Sequence, residues 1–292
     1  MSSAATGAGR FAPSPSADLH IGNLRTAVLA WLFARATRRR FLIRVEDLDD
    51  RTADDVGRRQ LADLAAIGLT WDEEPIWQST NPQRYADVID TLVERGLVFD
   101  CFCSRREILE APRAPHAPEG AYPGTCRRLT DAERAERRAA GRPPALRLRA
   151  GVSEYTVSDV LHGEYTGVVD DFVLRRGDGV PAYNLAVVVD DAACGVDQVV
   201  RGDDLLASSP RQAYLASLLG HTAPVYAHVP LALNSEGKRL AKRDGAVTQA
   251  ELGVPTAFRL ITESLGWPSA DTGELLEQFD PATLPRRPWV YP

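Results

Sequence analysis

The chain has 292 residues, 44% of them hydrophobic and 25% charged, which is ordinary for a soluble globular protein with one large domain or two modest ones. Its formal net charge of −6 argues against nucleic-acid binding across the whole surface, because phosphate contacts need Lys and Arg, and only a local basic face would serve that role. Neither an apolar run of about 18 residues nor the basic and apolar regions of a signal peptide are present, so we expect a cytoplasmic protein with no membrane partner.

The first predicted elements are a strand, a loop, a helix and a second strand between residues 9 and 46. Pro13 and Pro15 bias the residues before them towards extended geometry, so the first strand ends in a rigid loop. A helix follows, because apolar residues recur at helical spacing: Leu24, Ala27, Val28, Trp31 and Leu32. The tetrapeptide H-I-G-N at residues 20–23 therefore lies on the first turn, where unpaired N–H groups and the helix dipole favour an anion such as a nucleotide phosphate.

Three segments in this stretch resemble the class I glutamyl-tRNA synthetases: R-F-A-P-S-P from Arg10, H-I-G-N in place of H-I-G-H, and V-E-D-L-D around Glu46. The tetrapeptide alone is a weak signal, but the three segments in this order, with the expected elements between them, are specific. The resemblance implies a Rossmann-type α/β catalytic domain that binds ATP and L-glutamate. Asn23 stands in place of the family's second histidine; it can donate a hydrogen bond but cannot become cationic.

Two amphipathic helices are predicted between residues 51 and 95, since apolar residues recur there at intervals of three to five. Gly68 and Gly96 fit the position just after a helix ends. The polar loop between the helices, residues 71–79, is either a surface linker or a contact to substrate or tRNA. We assign residues 1–98 to the first half of the Rossmann catalytic domain.

Three of the four cysteines lie close together in the sequence. A short strand places Cys101 and Cys103 on one face, and the Pro-Gly turn before Cys126 can bring that thiol back to them. Three thiolates and one further donor would close a tetrahedral structural zinc site, whereas three unmetallated thiols are the alternative. The fourth ligand is His116 by ordinary zinc chemistry or Tyr122 by resemblance. We choose Tyr122, because shortened members of the family carry a Cys-x-Cys…Tyr…Cys pattern that this chain matches.

Residues 127–149 are rich in Arg and Ala and predict a helix that begins at Thr130, either solvated or with a basic face towards tRNA. Short strands follow between residues 151 and 175, and residues 176–179 predict a hairpin turn. With the cysteine segment, this part resembles the insertion that contacts the tRNA acceptor region in the family. We therefore assign residues 99–178 to an inserted zinc-containing α+β subdomain.

The second half of the catalytic domain is assigned to residues 179–233. Its segments 181–191 and 199–204 resemble the family's P-x-Y-x-L-A-x-V-V-D-D and V-x-R-x-x-D, although Val187 stands where full-length members often carry a polar residue. By resemblance, the glutamate-binding residues are Arg10, Ala12, Ser14, Glu46, Tyr183 and Arg201. Charge agrees with this set, because two arginines and one acid complement the two carboxylates and one ammonium group of glutamate. We expect the two arginines to converge on one pocket.

Residues 234–244 resemble the second class I signature, K-M-S-K-S, in the family's form K-L-S-K-R. Arg239 and Ala241 depart from this form, and a basic loop is the alternative interpretation. Lys242 stands at the position of the lysine that meets the phosphates, so the resemblance implies His20 and Lys242 as catalytic residues. The implied nucleotide-binding residues are His20, Gly22, Asn23, Arg239 and Lys242.

The expected chemistry needs no general base, because a glutamate carboxylate is already a nucleophile towards the α-phosphate of ATP. Alignment and neutralisation of charge, with Mg²⁺ bound to ATP, are the catalytic requirements. His20, the helix N-terminus and Lys242 are predicted to supply them.

Residues 234–292 contain the second signature, one amphipathic helix over residues 255–266 and a tail. We assign them to a short helical C-terminal part. A full-length glutamyl-tRNA synthetase continues with a long helical domain that reads the anticodon, and we expect none here. The chain thus resembles the family's shortened form, which transfers activated glutamate to the queuosine base in the anticodon of tRNA(Asp). We expect a monomer with this activity. The alternatives are a truncated synthetase that charges a tRNA 3′ end and a catalytically silent zinc-containing tRNA-binding protein.

Overall fold

The computed structural model describes residues 7–49, 52–110, 121–240 and 247–292. Within these ranges the strands are β1 (Ala8–Phe11), β2 (Arg40–Val45), β3 (Ile76–Trp77), β4 (Val98–Cys101), β5 (Ala145–Leu148), β6 (Glu154–Asp159), β7 (Gly163–Val168), β8 (Val173–Arg175), β9 (Val196–Gly202), β10 (Val225–Val229), β11 (Ala232–Leu233) and β12 (Trp289–Val290). The α-helices are α1 (Ile21–Ala36), α2 (Asp54–Ala66), α3 (Pro82–Glu94), α4 (Arg105–Glu110), α5 (Asp131–Ala139), α6 (Tyr183–Ala193), α7 (Ser209–Leu218), α8 (Gln249–Leu252), α9 (Val254–Leu265) and α10 (Thr272–Gln278). Short 3-10 helices cover Gln78–Thr80 and Asp203–Ser208.

A seven-stranded sheet in the order β3-β2-β1-β9-β10-β6-β7 forms the centre of the molecule. The strands from β3 to β6 in this order pair in parallel, and only the edge pair β6–β7 is antiparallel. The chain order of the strands reverses at β1, which lies between β2 and β9. This is the switch point at which open α/β sheets bind ligands, beyond the carboxyl ends of the strands. The predicted Rossmann-type α/β fold is confirmed.

The predicted strand, loop, helix and strand at the start of the chain are confirmed as β1, α1 and β2. Helix α1 is buried around most of its circumference, because it lies between the sheet and the C-terminal helices α9 and α10. A helix that is apolar on all sides needs such a two-sided environment. The main hydrophobic core forms there, with Leu24 and Leu32 of α1 in the same cluster as Ile261 and Leu265 of α9. The core therefore fixes the first turn of α1 relative to the sheet.

The region predicted as the insertion contributes to two sheets. Strands β4, β5 and β8 form a separate antiparallel sheet beside the cysteines. The hairpin β6–β7 instead extends the central sheet through β10. The predicted start of α5 at Thr130 is confirmed, and its side chain caps the helix. The exact division of the chain at residues 98, 178 and 233 stays a prediction.

Two predicted helix boundaries can be compared directly. Gly68 and Gly96 follow α2 and α3 with positive φ angles of 85° and 69°, as expected after a helix end. The sequence Ser208-Ser209-Pro210 predicts a side-chain cap with Pro210 as the first helical residue. This prediction was wrong: α7 begins at Ser209, Pro210 is its second residue, and Ser208 at the N-cap makes no side-chain capping hydrogen bond. The reason is that the 3-10 helix Asp203–Ser208 runs directly into α7, so Ser208 already has helical geometry.

The C-terminal part returns to the central domain. Strand β12 pairs in parallel with β11, and the N–H of Trp289 donates to the carbonyl of Leu231 at 2.9 Å. Within the described residues, no helix has the length and apolar character that a membrane span requires.

Candidate active site

A cavity of about 800 Å³ lies beyond the carboxyl ends of β1 and β9. The loop after β1, the first turn of α1, the end of β9 and the segments around β11 form its walls. It collects residues that the sequence assigned to glutamate and nucleotide binding: Ala12, Ser14, His20, Gly22, Asn23, Glu46, Tyr183, Arg201 and Arg239. We call it the main cavity.

The first turn of α1 closes on itself through His20 and Asn23. The N–H of Asn23 donates to Nδ1 of His20, and the N–H of His20 donates to Oδ1 of Asn23, both at 3.3 Å. Because Nδ1 accepts a hydrogen bond, the proton of the neutral ring lies on Nε2, a donor suited to a phosphate oxygen. A Cβ on Gly22 would lie 2.9 Å from Cβ of Ala232, so only glycine allows this wall of the cavity to approach the helix.

The residues that follow the second predicted signature lie against this turn. The N–H of Ile21 donates to the carbonyl of Val247 at 2.7 Å, and His20 forms an isolated β-bridge with Thr248. On the other side of the second signature, Arg239 and Leu240 line the main cavity. Lys242 itself lies outside the described residues. Both described flanks of its segment therefore adjoin the predicted nucleotide site.

Arg201 lies at the base of the cavity, only 6% exposed, and three side chains hold its guanidinium group. Its Nε donates to Nε2 of His228 at 3.0 Å, and its Nη2 donates to Oγ of Ser209 at 2.7 Å. Its Nη1 lies 3.4 Å from the hydroxyl oxygen of Tyr183, which also lines the cavity. No carboxylate forms an ion pair with Arg201 in the described part of the chain. A buried cation without a counter-charge favours an anionic ligand.

Arg10 has a different environment. Its Nε and Nη2 both donate to the carboxylate of Asp191 at 3.2 Å, and it does not line the main cavity. Its Nη1 makes no hydrogen bond with any described residue. Direct contact between Arg10 and a ligand therefore stays a prediction.

The hydroxyl of Tyr226 lies within the electrostatic reach of both arginines. Burial raises the pKa of Tyr226 to about 12, while the positive charges of Arg201 and Arg10 act to lower it. The guanidinium group of Arg201 lies over the ring of Tyr226, 5.4 Å from its centre. Both arginines thus act electrostatically on Tyr226, although only Arg201 lines the cavity.

Two adjacent acids of α6, Asp190 and Asp191, organise the floor behind the cavity. Asp191 forms ion pairs with both Arg10 and Arg44. Burial tends to raise the pKa of Asp191, but these two cations hold it below its ordinary value. Arg44 also pairs with Glu46 at 3.1 Å, so the acid network reaches a cavity-lining carboxylate.

Asp190 and Asp191 received no role from the sequence, although one signal was available. Both close the apolar segment L-A-V-V-V-D-D, and acids within such a segment are buried with partners when the segment is in the core. Asp190 accepts hydrogen bonds from the side chains of Gln78, Tyr85 and Arg84 at 2.7, 2.8 and 2.9 Å. The polar loop and helix before residue 95 thus support the site from behind.

A second cavity of about 470 Å³ adjoins the main one. The two share Ser14, Ser16, Glu46 and Tyr183 as walls. The second cavity extends over Leu48, Thr52, Val173, Val180 and Ala186, with Asp49 and Arg176 as its charged side chains. We call it the side cavity.

The predicted metal ligands lie together at the edge of the β4-β5-β8 sheet. The sulfur atoms of Cys101, Cys103 and Cys126 are all within 4.8 Å of one another, and Cys103 and Cys126 are 3.5 Å apart. Zinc–sulfur bonds of about 2.3 Å in a tetrahedron require sulfur–sulfur distances of about 3.8 Å. The hydroxyl oxygen of Tyr122 lies 3.5 Å from the sulfur of Cys101. His116 lies outside the described residues.

The electrostatics of this cluster favour a thiolate at Cys126. Burial raises the pKa of that thiol, but the N–H of Phe102 and the neighbouring donors outweigh it, so its pKa lies below the ordinary value. The phenol of Tyr122 has a raised pKa, first because it is buried. A phenolate ligand would therefore depend on the charge of the metal. Three sulfur donors and one oxygen at these distances fit a zinc ion.

Comparison with known proteins agrees with these features. The catalytic domain of class I tRNA synthetases (E and Q) matches residues 8–279. A glutamyl-Q tRNA(Asp) synthetase from Nocardia farcinica is 64% identical over 97% of this chain and 93% of its own length. A protein of the same name from Cutibacterium acnes is 48% identical over 92% of this chain and 79% of its length.

Longer relatives match as well. A glutamate–tRNA ligase from Synechococcus sp. is 42% identical over 94% of this chain, which covers 60% of that ligase. Among solved structures, a glutamate tRNA ligase from Elizabethkingia meningosepticum superposes with a TM-score of 0.82 at 24% identity, over 98% of this chain and 67% of that one. At that identity the likeness shows the fold alone.

We predict that Asp191→Asn destabilises the protein by about 3–5 kcal/mol, because it leaves the buried guanidinium group of Arg10 without a carboxylate and removes one of the carboxylates paired with buried Arg44. Urea unfolding at neutral pH measures this. The control is Asp197→Asn, whose ion pair with Arg39 is half-exposed and contributes about 0–1 kcal/mol. Since the pKa of Asp191 is lowered, its stabilisation is present at neutral pH and is lost as the pH falls through the lowered value. Equal losses in the two variants would contradict the prediction.

Proposed function

Because this chain belongs to the class I tRNA synthetases for glutamate and glutamine, we propose that it activates L-glutamate with ATP and transfers the glutamyl group to queuosine in the anticodon of tRNA(Asp). The observation that carries the first step is Arg201, a buried cation at the wall of the main cavity with no carboxylate partner among the described residues. The second step rests on relatives named glutamyl-Q tRNA(Asp) synthetase, which this chain matches over most of their length.

Glutamate fits the main cavity by charge. Arg201 pairs with one carboxylate, and the hydroxyl of Tyr183 beside Nη1 orients it. Glu46 accepts a hydrogen bond from Arg44 through Oε1, and among the described residues no side chain donates to Oε2, which we assign to the ammonium group of the substrate. Arg10 contributes positive charge from behind the cavity, where Asp191 holds it. Ala12 and Ser14, in the loop after β1, form part of the wall of this cavity.

Mg²⁺-ATP is the second substrate, and the first turn of α1 is its phosphate site. The proton on Nε2 of His20 and the N–H of Gly22 donate to phosphate oxygens. Arg239 lines the cavity as a cation from the second signature, and by resemblance Lys242 of the same signature is expected to add a second positive charge. The glutamate carboxylate attacks the α-phosphorus, the bond to the oxygen bridging the β-phosphate breaks, and pyrophosphate leaves. The site aligns the reactants and stabilises negative charge, so no side chain has to remove a proton.

Transfer requires an acceptor hydroxyl beside the activated carboxyl group. The side cavity supplies adjoining space, because it shares Ser14, Glu46 and Tyr183 with the main cavity. The hydroxyl oxygen attacks the carbonyl carbon of the adenylate, the bond from that carbon to the phosphate oxygen breaks, and AMP leaves with the proton. The volume of the side cavity, about 470 Å³, is within the range of small-molecule sites, about 300–1,000 Å³.

The cluster of Cys101, Cys103, Tyr122 and Cys126 holds a structural zinc ion in this proposal. With four protein donors the ion has no open position, so it ties the turn before Cys126 to β4 and supplies no chemistry to the reaction. Its place beside the three-stranded sheet suits a role in the stability of that sheet.

The activation step predicts glutamate-dependent exchange of pyrophosphate into ATP without added tRNA. Arg201→Gln should lower kcat/KM for glutamate about 100-fold or more, since it removes one member of a buried charge pair. The control is Arg259→Gln on the exposed face of α9, which should exchange normally. Absence of exchange in the unmodified protein would leave a catalytically silent tRNA-binding protein as the better interpretation.

The transfer step predicts that labelled glutamate joins tRNA(Asp) containing queuosine and not tRNA(Asp) lacking it. Filling the side cavity with Val180→Trp should abolish transfer and leave pyrophosphate exchange intact, whereas Val93→Trp on exposed α3 should retain both. Label found as an ester on the 3′-terminal ribose of the tRNA would instead favour a truncated glutamyl-tRNA synthetase. The match to the Synechococcus ligase makes this the second candidate.

The zinc proposal predicts about one zinc ion per chain by metal analysis. Cys103→Ser should lose the metal and lower the Tm, because it removes one thiolate of the tetrahedron. Cys194→Ser is the matched control, since Cys194 lies outside the cluster. A Cys103→Ser protein with full metal content and unchanged Tm would refute the assignment.

A further inference from the structure

A buried histidine and a buried aspartate stand behind Arg201. His228, on β10, has no exposed surface, and Asp159, at the end of β6, is 5% exposed. Nδ1 of His228 lies 2.6 Å from Oδ2 of Asp159, and its Nε2 lies 3.0 Å from Nε of Arg201. The three side chains therefore form a continuous series of hydrogen bonds from the end of β6 to the main cavity.

The partners of His228 determine its protonation. Nε of an arginine always carries a hydrogen, so Nε2 of His228 must accept the hydrogen bond from Arg201. The hydroxyl of Ser209, which accepts from Nη2 of Arg201, lies 3.1 Å from the same Nε2. The ring proton is then on Nδ1 and is donated to Asp159. Only the neutral ring with its hydrogen on Nδ1 satisfies all three contacts.

Asp159 is held rigidly enough to impose this state. Its Oδ2 also accepts from the backbone N–H of His228 at 3.1 Å, and its Oδ1 accepts from the N–H groups of Leu161 and His162 at 2.8 and 3.0 Å. A carboxylate with this many donors stays ionised and fixed in direction. The imidazole ring cannot turn over without breaking bonds at both of its nitrogens.

The consequence for Arg201 is electrostatic as well as geometric. Arg10 donates directly to the carboxylate of Asp191, so much of its charge is already compensated inside the protein. Arg201 is separated from the carboxylate of Asp159 by a neutral ring that accepts its hydrogen bond. The arginine is oriented, yet its positive charge remains available to a ligand.

We propose that Asp159 and His228 are positioning residues for amino-acid binding: they fix the orientation of Arg201 and leave its charge for the carboxylate of the substrate. This rests on the proposed function, because it assumes that Arg201 receives glutamate. The proposal also gives the β6–β7 hairpin a role. Asp159 belongs to that hairpin, which pairs with β10, and His228 of β10 links Asp159 to Arg201.

The test is pyrophosphate exchange with glutamate and ATP varied separately. His228→Asn removes the acceptor for Arg201, so KM for glutamate should rise about tenfold to hundredfold, the usual value of a hydrogen bond to a charged group, while KM for ATP changes little. His228→Gln places its side-chain oxygen nearer to the position of Nε2 and should recover part of the loss. His221→Asn, at an exposed histidine, is the control.

A second measurement needs no variant and no activity. In ¹⁵N NMR spectra of the unmodified protein, His228 should show its hydrogen on Nδ1 at neutral pH. A hydrogen on Nε2, or a doubly protonated ring, would overturn the proposal. So would an unchanged KM for glutamate in His228→Asn, or an equal rise of both KM values, which indicates a merely structural role. If His228→Asn does not fold, the glutamine variant and the spectrum decide. Absence of exchange in the unmodified protein would refute the proposed function instead.

Discussion

The site depends on one constraint: Arg10 and Arg201 are both buried near the carboxyl ends of their strands, and each must meet negative charge. Arg10 meets it within the protein, in Asp191. Arg201 does not, because the groups that hold it are a neutral imidazole and two hydroxyls. Leaving a buried cation in this state costs stability unless a ligand completes the pair. The protein is therefore arranged for an acidic substrate at this position before the substrate arrives.

The fold and the site could be predicted from the sequence best where a structure depends on residues close together in the chain. Strand β1, helix α1 and the helix start at His20 follow from two prolines and helical periodicity. The cysteine cluster was also predicted, but not for the predicted reason: β4 ends at Cys101, so Cys103 follows the strand and does not alternate along it. The residues that determine each of these elements lie within a few tens of positions of one another in the sequence.

The supporting polar groups were not predictable in the same way. Asp159 and His228 are 69 positions apart and meet only because the β6–β7 hairpin pairs with β10. A strand register of this kind depends on long-range packing that residue spacing does not encode. The same applies to Arg10 and Asp191, which are 181 positions apart. Resemblance to a family identified the arginine, whereas only the fold shows that its charge is largely compensated.

The segments around the cavity are joined by backbone contacts rather than by one continuous element. The first turn of α1 bonds to Val247, and the C-terminal strand β12 bonds to β11, whose residue Ala232 lines the cavity. The two flanks of the second signature thus take their positions from α1 and from the end of the chain. Such an arrangement brings His20 and Arg239 to one cavity while each remains on its own element.

A crystal structure with L-glutamate bound tests the central claim most directly. The charge arrangement predicts a substrate carboxylate within hydrogen-bond distance of Arg201, about 2.7–3.2 Å, with Arg10 still paired to Asp191. Glutamate bound elsewhere, or Arg201 paired with a carboxylate of the protein itself, would contradict it.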